Sequence, residues 1–307
     1  MSARRSEAAF RIRLPATSAN LGPAFDAAAL AFNLFLEVRA RPAKEFAITA
    51  SGRDSEICGQ LEKHLILETY MEVLRAERKS IVPLALEIRN DVPIGKGCGS
   101  SASARLAGIA LAVRFGKVKW NDARIVGEAS YREHHPDNAS ACWLGGIAVA
   151  RMSSQREAEV AVITPKGKWP LLLAVPEQAL STERARSVLP RQYSRADTVT
   201  NIQNSMLLLA AFTQARADLL RSALHDRIHQ PYRAALCPLL PALKQLELKD
   251  GVLGAVLSGA GPSVLIFVDP AANPTKVKQK VQAHLAGKGL QGELISTSIT
   301  RRGGAKK

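Results

Sequence analysis

Apolar and basic residues alternate from Phe10 to Leu14, as on a strand with one buried face. A turn-rich stretch over 15–23 follows, and then an apolar run to about Val38. Strands are also expected over 45–50 and 83–90, and between them Leu61, Leu65, Tyr70, Val73 and Leu74 recur at helical spacing. After Asn90 a glycine- and serine-rich run opens onto small and apolar residues ending near Phe115, and a helix is expected over 121–133. Beyond a break at Gly145-Gly146, residues 147–151, 158–163 and 171–175 read as strands and 196–224 as a long helix. A short helix near 238–247, strands near 252–257 and 263–268, a helix near 274–286 and a strand near 292–299 complete the pattern. Helices and strands mix without a regular strand–helix–strand rhythm, which predicts an α+β fold. The 307 residues suit two domains better than one, with the join near residue 155, where Met152–Glu157 turns polar: 1–155 and 156–307.

Composition narrows the function classes. Apolar residues make up 47% and charged residues 22%, enough to build a core and too apolar for a disordered chain. No apolar run approaches the roughly 18 residues of a membrane span. Met1–Arg5 leads into no apolar stretch with a cleavage site, so a cytoplasmic location is expected. Cys58, Cys98, Cys142 and Cys237 are far apart and form no zinc spacing, so they read as reduced, packed thiols. The net charge of +15 is the one argument for a nucleic-acid partner. Eight basic and two acidic residues lie between Asp269 and Lys307, and Arg301-Arg302 with Lys306-Lys307 are expected to form a frayed basic tail. Aromatics are only 5% and do not interleave with the arginines, which is poor material for base stacking. Neither nucleic acid nor membrane is the expected partner.

The chemistry concentrates in Pro93-Ile94-Gly95-Lys96-Gly97-Cys98-Gly99-Ser100-Ser101-Ala102. Three alternating glycines let the backbone turn tightly and expose several N–H groups in one concavity. Ser100 and Ser101 are expected to cap the following helix, whose N-terminus suits a phosphate. The order of residues is neither that of a Walker loop nor that of a dinucleotide fingerprint. Taken alone, the run fits an ordinary glycine-rich turn equally well.

The run resembles the phosphate-binding Pro-x-x-x-Gly-Leu-Gly-Ser-Ser-Ala loop of the galactokinase, homoserine kinase, mevalonate kinase and phosphomevalonate kinase superfamily, with Cys98 in place of leucine. Three further segments agree in order. Pro15-Ala16-Thr17-Ser18-Ala19-Asn20-Leu21-Gly22-Pro23-Ala24-Phe25-Asp26 and His135-Pro136-Asp137-Asn138 resemble homoserine kinase segments, and Gly254–Ser263 resembles the C-terminal glycine-rich motif. The resemblance spans about residues 10 to 268. It implies an N-terminal ribosomal S5-like domain, a C-terminal ferredoxin-like domain, and an active site between them.

By resemblance, the reaction is transfer of the ATP γ-phosphoryl group to the hydroxyl of L-homoserine, with Mg2+, in threonine biosynthesis. Pro93, Gly95, Lys96, Gly97, Cys98, Gly99, Ser100, Ser101 and Ala102 would hold the phosphates. Lys96 is either a point charge there or a solvated loop lysine. Asn20, Asp26, His135 and Asp137 would meet the substrate around its ammonium group, and Arg186 and Arg233 its carboxylate, for which a guanidinium fork is suited. Asn138 would orient the hydroxyl, with Ser101 beside it; Asp137 is a nearby candidate to accept the proton, with the ammonium its preferred partner, and stabilised charge rather than a strong base would drive the step. The family's magnesium-binding glutamate should fall at Gly127, so the adjacent Glu128 is taken as metal ligand with Ser100. His64 stands where relatives border the adenine with asparagine. Ala24 replaces a glycine, Ala27-Ala28-Ala29 lacks the usual Leu-Gly, and Gln230 replaces a glutamate. The competing readings are a sister kinase acting on threonine or a mevalonate-like alcohol, and a non-catalytic nucleic-acid binder. A homodimer is possible.

Overall fold

The computed structural model describes residues 9–305, so Met1–Ala8 and Lys306-Lys307 lie outside the described residues, with the expectations placed on them. Strands β1 (Phe10–Asn20) and β2 (Ala24–Pro42) form a long antiparallel hairpin, with Phe10 opposite Ala40 and Asn20 opposite Ala24. The stretch expected to be turn is therefore strand as far as Asn20. Ala16, Thr17, Ser18 and Ala19 are buried and lie opposite Phe32, Ala31, Leu30 and Ala29, so pairing and burial override their turn propensity.

β3 (Ala47–Gly52), the single turn α1 (Ser55–Cys58), α2 (Leu65–Ala76) and β4 (Leu84–Asn90) follow, with β3 parallel to β4. Three helices come next, α3 (Ser100–Phe115), α4 (Asp122–Glu133) and α5 (Asp137–Leu144), then the hairpin β5 (Ile147–Ser154) and β6 (Glu157–Ile163). The sheet order is β3-β4-β2-β5-β6, with β1 also on β2. The join expected near residue 155 falls on the β5–β6 turn, where Ser154 pairs with Glu157. The polar run there is an exposed hairpin tip. The chain reaches the second sheet only over 164–169.

α3 is buried from Ala102 to Ala112 except at Ala104 and Arg105, which is why its small and apolar residues show no amphipathic stripe. Gly108 lets α2 pack close. A Cβ there would lie 2.5 Å from the Ile66 carbonyl oxygen and 2.8 Å from Thr69 Cβ.

The second sheet begins with β7 (Pro170–Val175). A helical stretch follows: α6 (Thr182–Ser187), α7 (Arg195–Gln214), α8 (Ala217–Ala223), α9 (Gln230–Arg233) and α10 (Leu239–Leu243). The single long helix expected over 196–224 breaks at Ala215, which takes a left-handed φ of 59°. β8 (Val252–Leu257), β9 (Val264–Val268), α11 (Pro274–Ala286) and β10 (Glu293–Ser298) complete an antiparallel sheet of order β10-β7-β9-β8. That is the ferredoxin-like order.

Alternation explains why β7 and β9 read as unbroken apolar runs. Leu171, Leu173, Leu265 and Phe267 join the core shared with the first sheet, where Phe212 of α7 meets Trp169 and Phe267. Leu172, Ala174, Val264 and Ile266 face the separate core under α10 and α11. The two units thus share one continuous core.

The basic tail is docked rather than frayed as far as it is described. Thr300 N–H donates to the Ala31 carbonyl, Gly304 N–H to Cys142 and Ala305 N–H to Trp143, so residues 300–305 run along the first sheet and α5. Among the described residues no helix is long and apolar enough to cross a membrane. Gly108→Ala should destabilise the fold by about 1–3 kcal/mol through overpacking of α2 against α3, measured as a lowered urea midpoint.

Candidate active site

The glycine-rich run is held from behind, because its carbonyls from Gly95 to Cys98 are all occupied. Gly95 C=O accepts from Leu180 N–H, Lys96 C=O from Ser263 N–H, Gly97 C=O from the Ser258 hydroxyl, and Cys98 C=O from Thr17 N–H. Gly95, Gly97 and Gly99 adopt left-handed φ of 69°, 77° and 71°, which points successive N–H groups to the same side. Gly97 also has no room for a side chain, since a Cβ would lie 2.6 Å from the Gly261 carbonyl oxygen. The helix cap differs from expectation. Gly99, not a serine, is the N-cap of α3, and no side chain caps it. Among the described residues no protein group accepts from the N–H of Ser100, Ser101 or Ala102, so three amides at the positive end of a 16-residue helix face outward together. Cys98 contributes only backbone. Its side chain is fully buried, and burial pushes the thiol up to about 12. All four cysteines are free and buried.

This loop divides two cavities. The smaller, about 110 Å³, gathers the expected residues Asn20, Asp26, Gly95, Gly97, Gly99, Ser100, Ser101, His135, Asp137, Asn138, Arg186 and Arg233. The larger and more open, about 820 Å³, takes Pro93 and Lys96 together with Arg53, Asp54 and Glu293. Lys96 is partly exposed at this mouth but not free: its ammonium donates to the Glu177 carbonyl, tying the loop to the second unit. Arg53 bridges to both Glu293 oxygens at 2.7 and 2.8 Å across the same mouth.

Both signs of charge line the small cavity. Asp137 is buried at the start of α5, and its Oδ1 accepts from Asn138 N–H and faces His135 Nδ1, both at 2.6 Å. Asp26, His135 and Asp137 each offer a ligand atom within 4.8 Å of the others. Arg186 forks onto Asp26 at 2.7 and 3.0 Å. Arg233 is 1% exposed and sits beside Arg186, its guanidinium 5.4 Å from the Phe25 ring centre. Asn20 reaches the wall but is engaged by backbone: its amide donates to Gly259 C=O and its carbonyl accepts from Asp26 N–H, fixing the turn that presents Asp26. The Thr17 hydroxyl donates to Asn138 Oδ1 at 2.7 Å, which turns the Asn138 NH2 group away from Thr17.

Two expected residues lie elsewhere. Glu128 does not approach the loop; it is 1% exposed and held by Arg124, Arg132 and Arg156 on the far side of α4. Glu133 takes that place, accepting from the Ser101 hydroxyl at 2.6 Å and from Arg105 at 2.6 Å. Five residues along a helix turn it by about 140°, so the two glutamates cannot share a face. A sequence cue existed: Glu133 is the carboxylate that directly precedes the His134-His135-Pro136 turn. His64 lines neither cavity. It is the N-cap of α2, its Nε2 lies 3.1 Å from the Cys58 carbonyl, and burial lowers its pKa. Thr17, Leu180 and Thr182 are site residues that the sequence reading gave no role.

The chain matches the family models described as GHMP kinases N terminal domain, over residues 64–146, and GHMP kinases C terminal, over 208–287. It is 40% identical to a homoserine kinase of Solibacter usitatus over 96% of both chains, and 34% identical to one of Deinococcus radiodurans over 96% and 95%. Its fold superposes on a homoserine kinase crystal structure from Cytophaga hutchinsonii with a TM-score of 0.81 at 21% identity, covering 99% and 98% of the two chains. A mevalonate kinase structure from L. major in complex with R-mevalonate gives 0.72 at 14% identity, covering 96% and 97%.

Glu128→Ala should cost about 3 kcal/mol of stability by leaving its arginines without a buried counter-charge, read from urea unfolding. Burial lowers the His135 pKa, but its bond to Asp137 and the charges of Asp137, Asp26 and Glu133 outweigh that, and the net shift is upward. The folded state therefore holds a proton that the unfolded chain releases near 6.5, and the stabilisation is lost as pH rises through the folded value. His135→Gln should flatten this decline, by at most about 1.4 kcal/mol per pH unit.

Proposed function

The chain belongs to the homoserine kinase family of the GHMP kinases, and from that premise we propose which residues carry out the reaction here. The reaction is transfer of the γ-phosphoryl group of ATP to the side-chain hydroxyl of L-homoserine, giving O-phospho-L-homoserine for threonine biosynthesis. The observation that carries the assignment is the convergence of three carboxylates, Asp26, Glu133 and Asp137, and two arginines on a cavity of about 110 Å³ walled by outward-facing loop amides. A free amino acid is a compact zwitterion. Its carboxylate fits Arg186 and Arg233, and its ammonium fits Asp26 and Asp137, so that each end of the substrate meets the opposite charge. A mevalonate-like alcohol has no ammonium for those carboxylates.

The nucleoside takes the 820 Å³ cavity, and its phosphates lie over the loop between the two spaces. The amides of Gly99 to Ala102 hold the phosphoryl oxygens. The donors beside them are all oxygens: the Ser101–Glu133 pair and the Ser100 hydroxyl, which has no protein partner among the described residues. That set fits a hard divalent cation such as Mg2+, held by Glu133 with the loop serines. The ion's contribution is to neutralise charge on the phosphates.

The acceptor oxygen attacks the γ-phosphorus, the bond to the β–γ bridging oxygen breaks, and ADP leaves. Asn138 has its carbonyl fixed by Thr17, so its NH2 group is free to orient the acceptor oxygen. An amide takes no proton, and Asp137 is engaged by His135 and by Asn138 N–H. The hydroxyl proton therefore leaves on the transferred phosphoryl group, and catalysis rests on positioning and charge stabilisation.

ATP consumption with Mg2+ on L-homoserine, L-threonine, mevalonate and no acceptor should be confined to L-homoserine; comparable turnover on another alcohol would refute the zwitterion reading. Glu133→Gln should lower kcat at least about 100-fold and raise the Mg2+ concentration needed for half-maximal rate, while Glu128→Gln should leave that concentration unchanged.

A further inference from the structure

We infer that His229 is a positioning residue for the substrate-carboxylate clamp: its neutral ring, carrying hydrogen on Nε2 alone, aims the Arg233 guanidinium into the small cavity. The inference rests on Arg233 binding the homoserine carboxylate, as proposed above.

The ring is fully buried, and each nitrogen has one partner that dictates its state. Nε2 lies 2.8 Å from the Gly22 carbonyl oxygen, which can only accept, so Nε2 carries the hydrogen. Nδ1 lies 3.1 Å from Arg233 Nη1, which can only donate, so Nδ1 presents a lone pair. A single tautomer satisfies both bonds. The opposite tautomer breaks both, and an imidazolium sets a cation against the guanidinium.

The surroundings hold that arrangement. Phe25 stacks on the imidazole at 5.3 Å with planes 27° apart and also lies under the Arg233 guanidinium. The nearby Asp226 carboxylate, 3.5 Å from Nε2, is occupied by the N–H groups of Ile228, His229 and Gln230. Burial pulls the His229 pKa down to about 4, opposed by Asp226 and aided by Arg233, so the ring stays neutral around neutral pH.

Arg233 Nε–H donates to the Ala185 carbonyl at 2.9 Å, immediately before Arg186. Two of five guanidinium hydrogens are thus committed to protein, one to each side, and the remaining three are left for a ligand. The chain of contacts Gly22, His229, Arg233, Ala185 ties the β1–β2 turn to α6, so one imidazole sets the spacing of both arginines.

The test compares two substitutions. Asparagine can present an oxygen where Nδ1 was, whereas glutamine reaches the Nε2 position and leaves Arg233 without an acceptor. His229→Gln should raise the KM for L-homoserine at least about 10-fold with the KM for ATP within about 2-fold, and His229→Asn should stay within about 3-fold for both. Equal losses in the two variants, or a matching rise in the KM for ATP, would overturn the inference. Arg233→Gln separates the premise: an unchanged homoserine KM there refutes the carboxylate clamp itself. A raised KM there, with both His229 variants like the wild type, refutes only the positioning role. Should the variants not fold, nitrogen NMR of the His64→Asn protein with labelled histidine still decides, since buried His64, with Nε2 on the Cys58 carbonyl, would otherwise give the same signal. One histidine should be neutral and Nε2-protonated at about pH 5.5, well below the ordinary titration point; finding none in that state at that pH refutes the inference.

Discussion

The structure depends on where the carbonyls of residues 95–98 go. Each is bonded outward to a different part of the molecule: Leu180, Ser263, Ser258 and Thr17. A loop whose acceptors are all satisfied from behind presents only donors in front, and the start of α3 extends that donor surface. Leaving such amides unbonded is costly, so the surface favours an anion. Three of the four anchors lie in the second unit, which means that this donor surface exists only when the two units are together.

The shared core makes that arrangement durable. Leu171, Leu173, Leu265 and Phe267 from the second sheet pack into the same cluster as Leu14, Phe32 and Leu106. Each large side chain so buried contributes about 1.5–3 kcal/mol, which holds the units as one body. The charged cavity can then carry three carboxylates, two guanidiniums and a buried histidine, because the partners that neutralise them arrive from both sides. Arg186 pairs with Asp26 across this boundary, and His229 reaches Gly22 across it.

Much of the site was legible in the sequence, because motifs report local backbone demands. Glycines at 95, 97 and 99 imply positive φ, and positive φ is what they adopt. The misses came where a tertiary neighbour decided the outcome. Ser100 and Ser101 looked like caps, but Thr17 and Asn138 crowd the helix start so closely that only glycine fits at 99. Glu128 fitted a spacing rule, yet it is Glu133 that the phase of α4 turns toward Ser101. The polar run at 152–157 suggests the join between domains, and strand pairing makes it a hairpin tip.

The sequence by itself determined the α+β mix, the conformation of the glycine-rich loop and the kinase family, since each depends on residue types at short, fixed spacings. Only the tertiary structure decided which glutamate faces the loop, that Lys96 is latched to Glu177, and that the His229 ring lies on the Gly22 carbonyl. Those facts depend on groups tens to hundreds of residues apart, Gly22 and His229 among them, and the distance between such groups is set by packing and written in no local pattern.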